Sequence, residues 1–257
     1  MNLIELASAL EPVALKAGIK IMEIYSKDPE ADWKGDGSPV TEADRVAEEI
    51  ILNSLIDIAP NIPVVSEENT ASHISNASKM FFLVDPLDGT KEFLKRDGRG
   101  SFTVNIALIE GEVPVLGIVY APALHRLFIG IDGVGAVERK NSAEVPLSVR
   151  IPNSESIVAV ASASHRDELT NQWLVENGVN DTISIGSSLK FCLLAAGEAD
   201  VYPRFGPTME WDTAAGDAVL RAAGGKTTKI DKAPFVYGKP DYLNGPLSRG
   251  EDFHKKC

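Results

Sequence analysis

Phe81-Phe82-Leu83-Val84-Asp85-Pro86-Leu87-Asp88-Gly89-Thr90 passes from an apolar strand to two carboxylates, a proline and a glycine in ten residues. Ends of strands are where α/β proteins commonly place ligands. Pro86 stiffens the turn, Gly89 lets the backbone approach a bound group, and Leu87 could offer its carbonyl between the two carboxylates. Two other places repeat the design. Val64-Val65-Ser66-Glu67-Glu68 ends an apolar run in acids, and Glu210-Trp211-Asp212-Thr213 opens an Ala-rich helix with one. If Glu67, Asp85, Asp88 and Asp212 converge, each pair about 4 Å apart costs roughly 4 kcal/mol at an effective dielectric near 20. Such a cluster needs cations, and hard oxygen ligands select Mg²⁺, Mn²⁺ or Ca²⁺ over zinc. Taken singly, acids at strand ends are also common solvated turns, and Asp212 could be a helix cap.

Outward from that stretch, apolar residues fall at helical spacing over about 3–26. A polar, Gly-containing segment follows. Thr41 and Asp44 then stand in a capping-box-like pattern ahead of a second helix ending before Pro60. Pro63–Ser66, Phe81–Val84, Thr103–Ile109, Val115–Tyr120, Leu127–Ile131 and Ala136–Arg139 read as strands of an antiparallel-rich sheet. Beyond Pro152 the pattern alternates: strands at Ile157–Ala161, Thr182–Ile185 and Val201–Tyr202, helices at Glu168–Glu176, Ser188–Ala196 and Thr213–Ala223. The expectation is a layered α/β fold, one compact unit with subdomains 1–150 and 151–257. The first would carry most metal ligands and the second would complete the site.

Charge narrows the partners. With 37 acidic against 25 basic residues and a net charge of −12, the chain lacks the basic surface that a nucleic-acid polymer requires. A phosphorylated small molecule remains open, because a bound cation reverses the local field. No apolar run approaches the roughly 18 residues of a transmembrane span. The first residues carry Glu5 and Glu11 and no basic leader, so no secretion signal is expected. Two cysteines make no disulfide framework, and Cys192 among Phe191, Leu193 and Leu194 reads as a buried apolar side chain. A cytoplasmic protein is expected, with a peripheral place on the cytoplasmic face of the inner membrane as the alternative, and a monomer in preference to an oligomer.

The Glu67-Glu68 pair, the Asp85-Pro86-Leu87-Asp88-Gly89-Thr90 string and Trp211-Asp212-Thr213-Ala214-Ala215-Gly216, in that order, resemble the inositol monophosphatase superfamily of metal-dependent, lithium-sensitive phosphatases. The resemblance spans nearly the whole chain and implies an α-β-α-β-α sandwich. It implies that Glu67, Asp85, Asp88, Asp212 and the Leu87 carbonyl bind two or three Mg²⁺. It also implies that Asp44 and Thr90, with Glu67, orient or activate a water that attacks phosphorus in line, without a covalent enzyme intermediate. Asp44 keeps its competing role in the helix cap. Haloacid-dehalogenase-type phosphatases also use Asp-Gly-Thr, but there one residue separates the aspartates and here Pro86 and Leu87 intervene. A catalytically silent metal- or nucleotide-binding regulator would lack a ligand or the water activator, and every expected position is filled.

Gly186-Ser187-Ser188-Leu189-Lys190 and Tyr202-Pro203-Arg204 bring positive charge into an acidic protein, which suits a second phosphate that is bound and not cleaved. Ser187 and Lys190, three apart, can share a helix face. Both cations could instead be ordinary surface charges. These segments resemble the 3'(2'),5'-bisphosphate nucleotidase branch of the superfamily. The implied substrate is adenosine 3',5'-bisphosphate, converted to AMP and phosphate in sulfate assimilation. His165, Ser187, Lys190 and Arg204 would contact it, beside Glu67, Leu87, Asp88, Gly89, Thr90 and Asp212. The nearest rival is an inositol monophosphatase. No Gly-rich nucleotide fingerprint of Rossmann or P-loop type occurs. Glu68 is expected to support its neighbours or face solvent.

Overall fold

The computed structural model describes residues 2–27, 30–35, 39–74, 78–96, 98–140, 143–153, 156–162, 166–245 and 247–249. In chain order the elements begin with α1 (Leu3–Tyr25), β1 (Ala31–Trp33), β2 (Pro39–Thr41), α2 (Glu42–Ile58) and β3 (Val64–Ser66). Next come β4 (Met80–Asp88), α3 (Thr90–Lys95), β5 (Thr103–Glu110), β6 (Val113–Ala121), β7 (Arg126–Ile131), β8 (Gly135–Lys140) and β9 (Ala143–Leu147). The remainder is β10 (Val158–Ser162), α4 (Glu168–Glu176), β11 (Asp181–Ile185), α5 (Leu189–Ala195), β12 (Thr208–Met209), α6 (Trp211–Ala222), β13 (Thr227–Lys229), β14 (Leu243–Asn244) and β15 (Leu247–Arg249).

Strands β3 to β9 form one seven-stranded sheet in chain order. Only the β3–β4 pair is parallel; the rest run antiparallel, as the sequence of short turn-bounded runs predicts. The alternation of side chains along a strand gives this sheet two apolar faces. On β4, Phe82 and Val84 face a core shared with α1 and α2, while Phe81 and Leu83 face one shared with α5 and α6. Beyond α5 lies a second, parallel pair, β10–β11. Val160 of β10 belongs to the α5–α6 core and Ala159 to a third, with Leu174 of α4. The layers therefore run α1/α2, sheet, α5/α6, β10/β11, α4, which is the expected sandwich.

Helix α6 carries Asp212, and its seat on the sheet is fixed by missing side chains. A Cβ on Gly117 of β6 would lie 2.2 Å from the Ala215 carbonyl oxygen, and one on Gly130 of β7 would lie 2.4 Å from the Cα of Val219. Only glycine lets helix and sheet backbones approach this closely.

Several expectations need correction. Val201–Tyr202 is no strand: Val201 makes a single parallel bridge to Ala159. The strand predicted to stop at Val84 runs to Asp88, because the Asp85–Asp88 irregularity bulges out and pairing with β5 resumes at Asp88↔Thr103. Helix α6 starts at Trp211, two residues earlier than predicted. Ser188 precedes α5, without a side-chain capping bond, instead of starting it. The β1–β2 hairpin, α3 and the edge strand β9 lie in segments whose polar or Gly/Pro-bearing sequence carries no clear period. Among the described residues, no helix is long and apolar enough to cross a membrane.

Candidate active site

Parallel pairing explains how Glu67 meets Asp85. Ser66 is in register with Val84, so the next residue of each chain is a carboxylate at the same edge. The Glu67 N–H donates to the Val84 carbonyl at 3.1 Å and extends the ladder one step. Asp212 arrives from the first turn of α6, its Oδ2 held by the Met209 N–H at 2.8 Å. One oxygen from each of Glu67, Asp85 and Asp212 lies within 4.8 Å of the others. Asp88 stands outside that group of three; burial first, and then the Asp88 charge, raises the pKa of Asp212.

Nothing among the described residues neutralises the cluster fully. The Asp85 Oδ2 atom is buried and has no hydrogen-bond partner there, while Oδ1 accepts from the Leu87 N–H at 3.1 Å. Burial, followed by repulsion from Glu67, Asp88 and Asp212, holds the Asp85 carboxyl well above its ordinary range. Burial likewise pushes Asp88 up to about 6, although the Lys190 ammonium opposes the shift. An orphaned buried carboxylate oxygen beside two more carboxylates fits a hard divalent cation.

Asp44 caps α2 and also reaches Thr90. Its Oδ2 accepts the Thr41 N–H at 2.7 Å and the Thr41 hydroxyl at 2.6 Å, closing the capping box of α2. Its Oδ1 faces the Thr90 hydroxyl at 3.2 Å, and that hydroxyl is also 3.2 Å from the Leu87 carbonyl oxygen. Gly89, with φ +92°, turns the chain so that Thr90 can face back toward Asp44. Burial raises the Asp44 pKa.

The second half of the chain supplies the cations. Lys190, 5% exposed, donates from Nζ to the Ser187 carbonyl and sits 5.3 Å from the Tyr202 ring centroid. Arg204 donates to the carbonyls of Gly206 and Pro207 at 3.3 and 3.0 Å. Burial works against the Arg204 charge, but Tyr202, Asp212 and Asp88 hold its pKa above the ordinary value. Neither cation is an ordinary surface charge. Glu67, Asp85, Leu87, Asp88, Gly89, Thr90, Ser187, Lys190, Arg204 and Asp212 all line one cavity of about 380 Å³. Its size is that of a small-metabolite site. His165 lies outside the described residues.

Other residues contribute that sequence reasoning did not single out. Lys34 donates from Nζ to Glu67 at 2.9 Å and Glu68 at 2.6 Å, so Glu68 is paired and largely buried. Burial pushes the Glu68 carboxyl up to about 7. The Ser188 N–H donates to Asp88 Oδ2 at 2.6 Å, while its hydroxyl donates to Asn105 Oδ1 at 2.6 Å. Ser188 could have been suspected as a cap; nothing near Lys34 or Asn105 in sequence signals these distant contacts.

Known proteins resemble the chain over most of its length. The profile described as the inositol monophosphatase family matches residues 2–256. A 3'(2'),5'-bisphosphate nucleotidase CysQ of Salmonella typhimurium is 47% identical over 82% of this chain and 85% of its own. That of Escherichia coli K12 is 42% identical over 90% and 94%. Among solved structures, CysQ from Bacteroides thetaiotaomicron, described as a bacterial member of the inositol monophosphatase family, aligns with a TM-score of 0.82. It is 39% identical, over 96% of this chain and 97% of that one.

Proposed function

The chain belongs to the inositol monophosphatase family, a family of metal-dependent enzymes, and from that premise we propose that it is a Mg²⁺-dependent 3'(2'),5'-bisphosphate nucleotidase. It would remove the 3'-phosphate of adenosine 3',5'-bisphosphate and leave AMP, a recycling step suited to sulfate assimilation in the cytoplasm. The observation that carries this reading is a shared cavity. Three carboxylates gathered within 4.8 Å line it together with two shielded cations, Lys190 and Arg204. An inositol monophosphate has one phosphate and gives Lys190 and Arg204 no second phosphate to bind.

Glu67, Asp85, Asp88, Asp212 and the Leu87 carbonyl would hold the cations. When bound, Mg²⁺ supplies Lewis-acid stabilisation of charge on the phosphoryl and leaving oxygens and makes a nearby water more acidic. The chain's own part is positioning and proton transfer. The Thr90 hydroxyl donates one hydrogen bond, to Asp44 or to the Leu87 carbonyl, and its lone pairs can accept a hydrogen bond that orients the attacking water. Burial makes the Asp44 carboxylate a better base than an exposed one. The new bond joins the water oxygen to phosphorus and the bond from phosphorus to the 3'-oxygen breaks; the attacking water's proton would pass to the Asp44 carboxylate, and the released 3'-oxygen would take a proton from solvent water. Ser187, Lys190 and Arg204 would anchor the 5'-phosphate, with His165 as a further contact.

A substrate panel tests the reading: adenosine 3',5'-bisphosphate, AMP and inositol 1-phosphate, each with Mg²⁺, with a chelator and with added Li⁺. The expected result is Mg²⁺-dependent, Li⁺-inhibited release of one phosphate from the bisphosphate, with AMP as the product. A large preference for inositol 1-phosphate would overturn the substrate assignment.

A further inference from the structure

Tyr202 lines the same cavity, is 2% exposed, and meets both of the cavity's shielded cations. The Lys190 ammonium lies 5.3 Å from the centroid of its ring, and its hydroxyl accepts a hydrogen bond from the Arg204 guanidinium. The ring itself is held from behind. It stands edge-on to Phe191, with centroids 5.9 Å apart and planes at 88°. Phe191 is packed against Gly216 of α6, where a Cβ would lie 2.6 Å from its Cδ2 atom. The helix that brings Asp212 to the metal site therefore also backs the ring that both cations touch.

An acidic cavity tends to misplace cations. Lys190 acts on Asp88, and Asp212 and Asp88 act on Arg204. A long basic side chain free to move would collapse onto those carboxylates, where it would compete with a metal ion and leave no charge for a second phosphate. Main-chain carbonyls hold part of each side chain: Lys190 donates to Ser187, and Arg204 donates to Gly206 and Pro207. Those bonds belong to separate segments and do not fix the distance between the two charges. One rigid aromatic side chain does. Its face attracts the ammonium through the ring quadrupole while its hydroxyl takes a guanidinium N–H, and neither contact neutralises the charge it places.

We propose that Tyr202 is a positioning residue for the uncleaved phosphate: its ring and hydroxyl set the spacing of Lys190 and Arg204 and keep both off the metal-binding carboxylates. The proposal rests on the bisphosphate reading of the substrate given above. It makes the preference for a second phosphate a property of one shared side chain as well as of the two cations. A pair of donors held at fixed spacing gains more from a phosphate than two mobile ones, because less freedom is lost on binding.

The test compares kcat/KM for adenosine 3',5'-bisphosphate and for 3'-AMP, which has the same scissile ester and no 5'-phosphate, with Mg²⁺. The proteins are the wild type, Tyr202→Phe and Tyr202→Leu. The wild type should prefer the bisphosphate by about a hundredfold or more. Tyr202→Phe, which keeps the ring and removes the hydroxyl, should cut that ratio by about tenfold, chiefly through a higher KM for the bisphosphate. Tyr202→Leu, which removes both contacts, should cut it further. A ratio that stays at the wild-type value in both variants, whether both substrates are slowed alike or neither is slowed, would overturn the proposal. Should Tyr202→Leu fail to fold, Tyr202→Phe differs by one oxygen and decides alone: an unchanged ratio in it would overturn the proposal. A wild type that turns over both nucleotides alike, or only inositol 1-phosphate, would instead refute the bisphosphate reading, and this proposal with it.

Discussion

Helix α6 carries two aspartates less than two turns apart, Asp217 buried and Asp212 half-buried, in opposite surroundings. Asp217 is saturated: it accepts from Thr227, from the Tyr237 hydroxyl at 2.9 Å, and from the Arg221 Nε at 3.0 Å to each oxygen. Asp212 has one backbone N–H and two carboxylate neighbours, Asp88 and Glu67, that raise its pKa further than burial alone. The helix is the same and so is the side chain. A buried acid with every lone pair used is architecture, tying α6 to the segments after it. One left facing like charges is kept for a ligand that the polypeptide does not supply.

The largest effect should come from neutralising the second kind. Asp212→Asn should lower turnover by about a thousandfold, while the metal-free protein melts at the same or a higher temperature because a repulsion is gone. Steady-state assay and calorimetric melting check this, and a destabilised, still active variant would break the contrast. The mirror-image change is Asp217→Asn, which strands the Arg221 guanidinium among its remaining partners. It should cost about 3 kcal/mol of stability, read in urea, with kcat at permissive temperature close to wild type.

A smaller effect sharpens the contrast through pH. Asp200, on the loop before Val201, is another satisfied acid. Burial opposes its ionisation, but Arg150 at 2.6–2.7 Å and the Val158 N–H at 2.7 Å hold its carboxyl below the ordinary range. A depressed folded-state pKa means the pair stabilises the fold above the unfolded value near pH ~3.9 and loses that contribution as pH falls through the folded value. Arg150 is partly exposed, so the contribution is about 1 kcal/mol. Asp200→Asn should therefore lower the urea midpoint at pH 7 and converge with wild type as the medium becomes acidic. The acids that face like charges behave oppositely: Asp85 and Asp212, with raised values, weaken the metal-free fold as pH rises.

The same distinction decides what could be read in the sequence. Asp85 and Asp88 were legible because a local signal, an apolar strand running into Asp-Pro-Leu-Asp-Gly-Thr, marks a strand end built for a ligand. Glu67 and Asp212 were legible by repetition of that design, and the layered fold by the change from short strands to alternating elements. Lys34 gave no such signal. It sits in a polar, Gly-bearing stretch, and its partner Glu67 is 33 residues away. Asn105 reads as one polar residue inside a strand, and its contact with Ser188 spans 83 residues. Glu92 looks like an ordinary helix-surface acid until Gly89 and Gly186 are brought against it. Long-range pairings of single polar residues leave no periodicity for a sequence to show.

The central claim is that these distant acids form one cation site, and equilibrium binding of Mn²⁺, followed by its electron paramagnetic resonance signal, tests it most directly. Wild-type protein should bind Mn²⁺, Mg²⁺ should displace it, and Asp85→Asn should abolish or greatly weaken binding while the protein stays folded. Unaltered Mn²⁺ binding in folded Asp85→Asn protein would contradict the account.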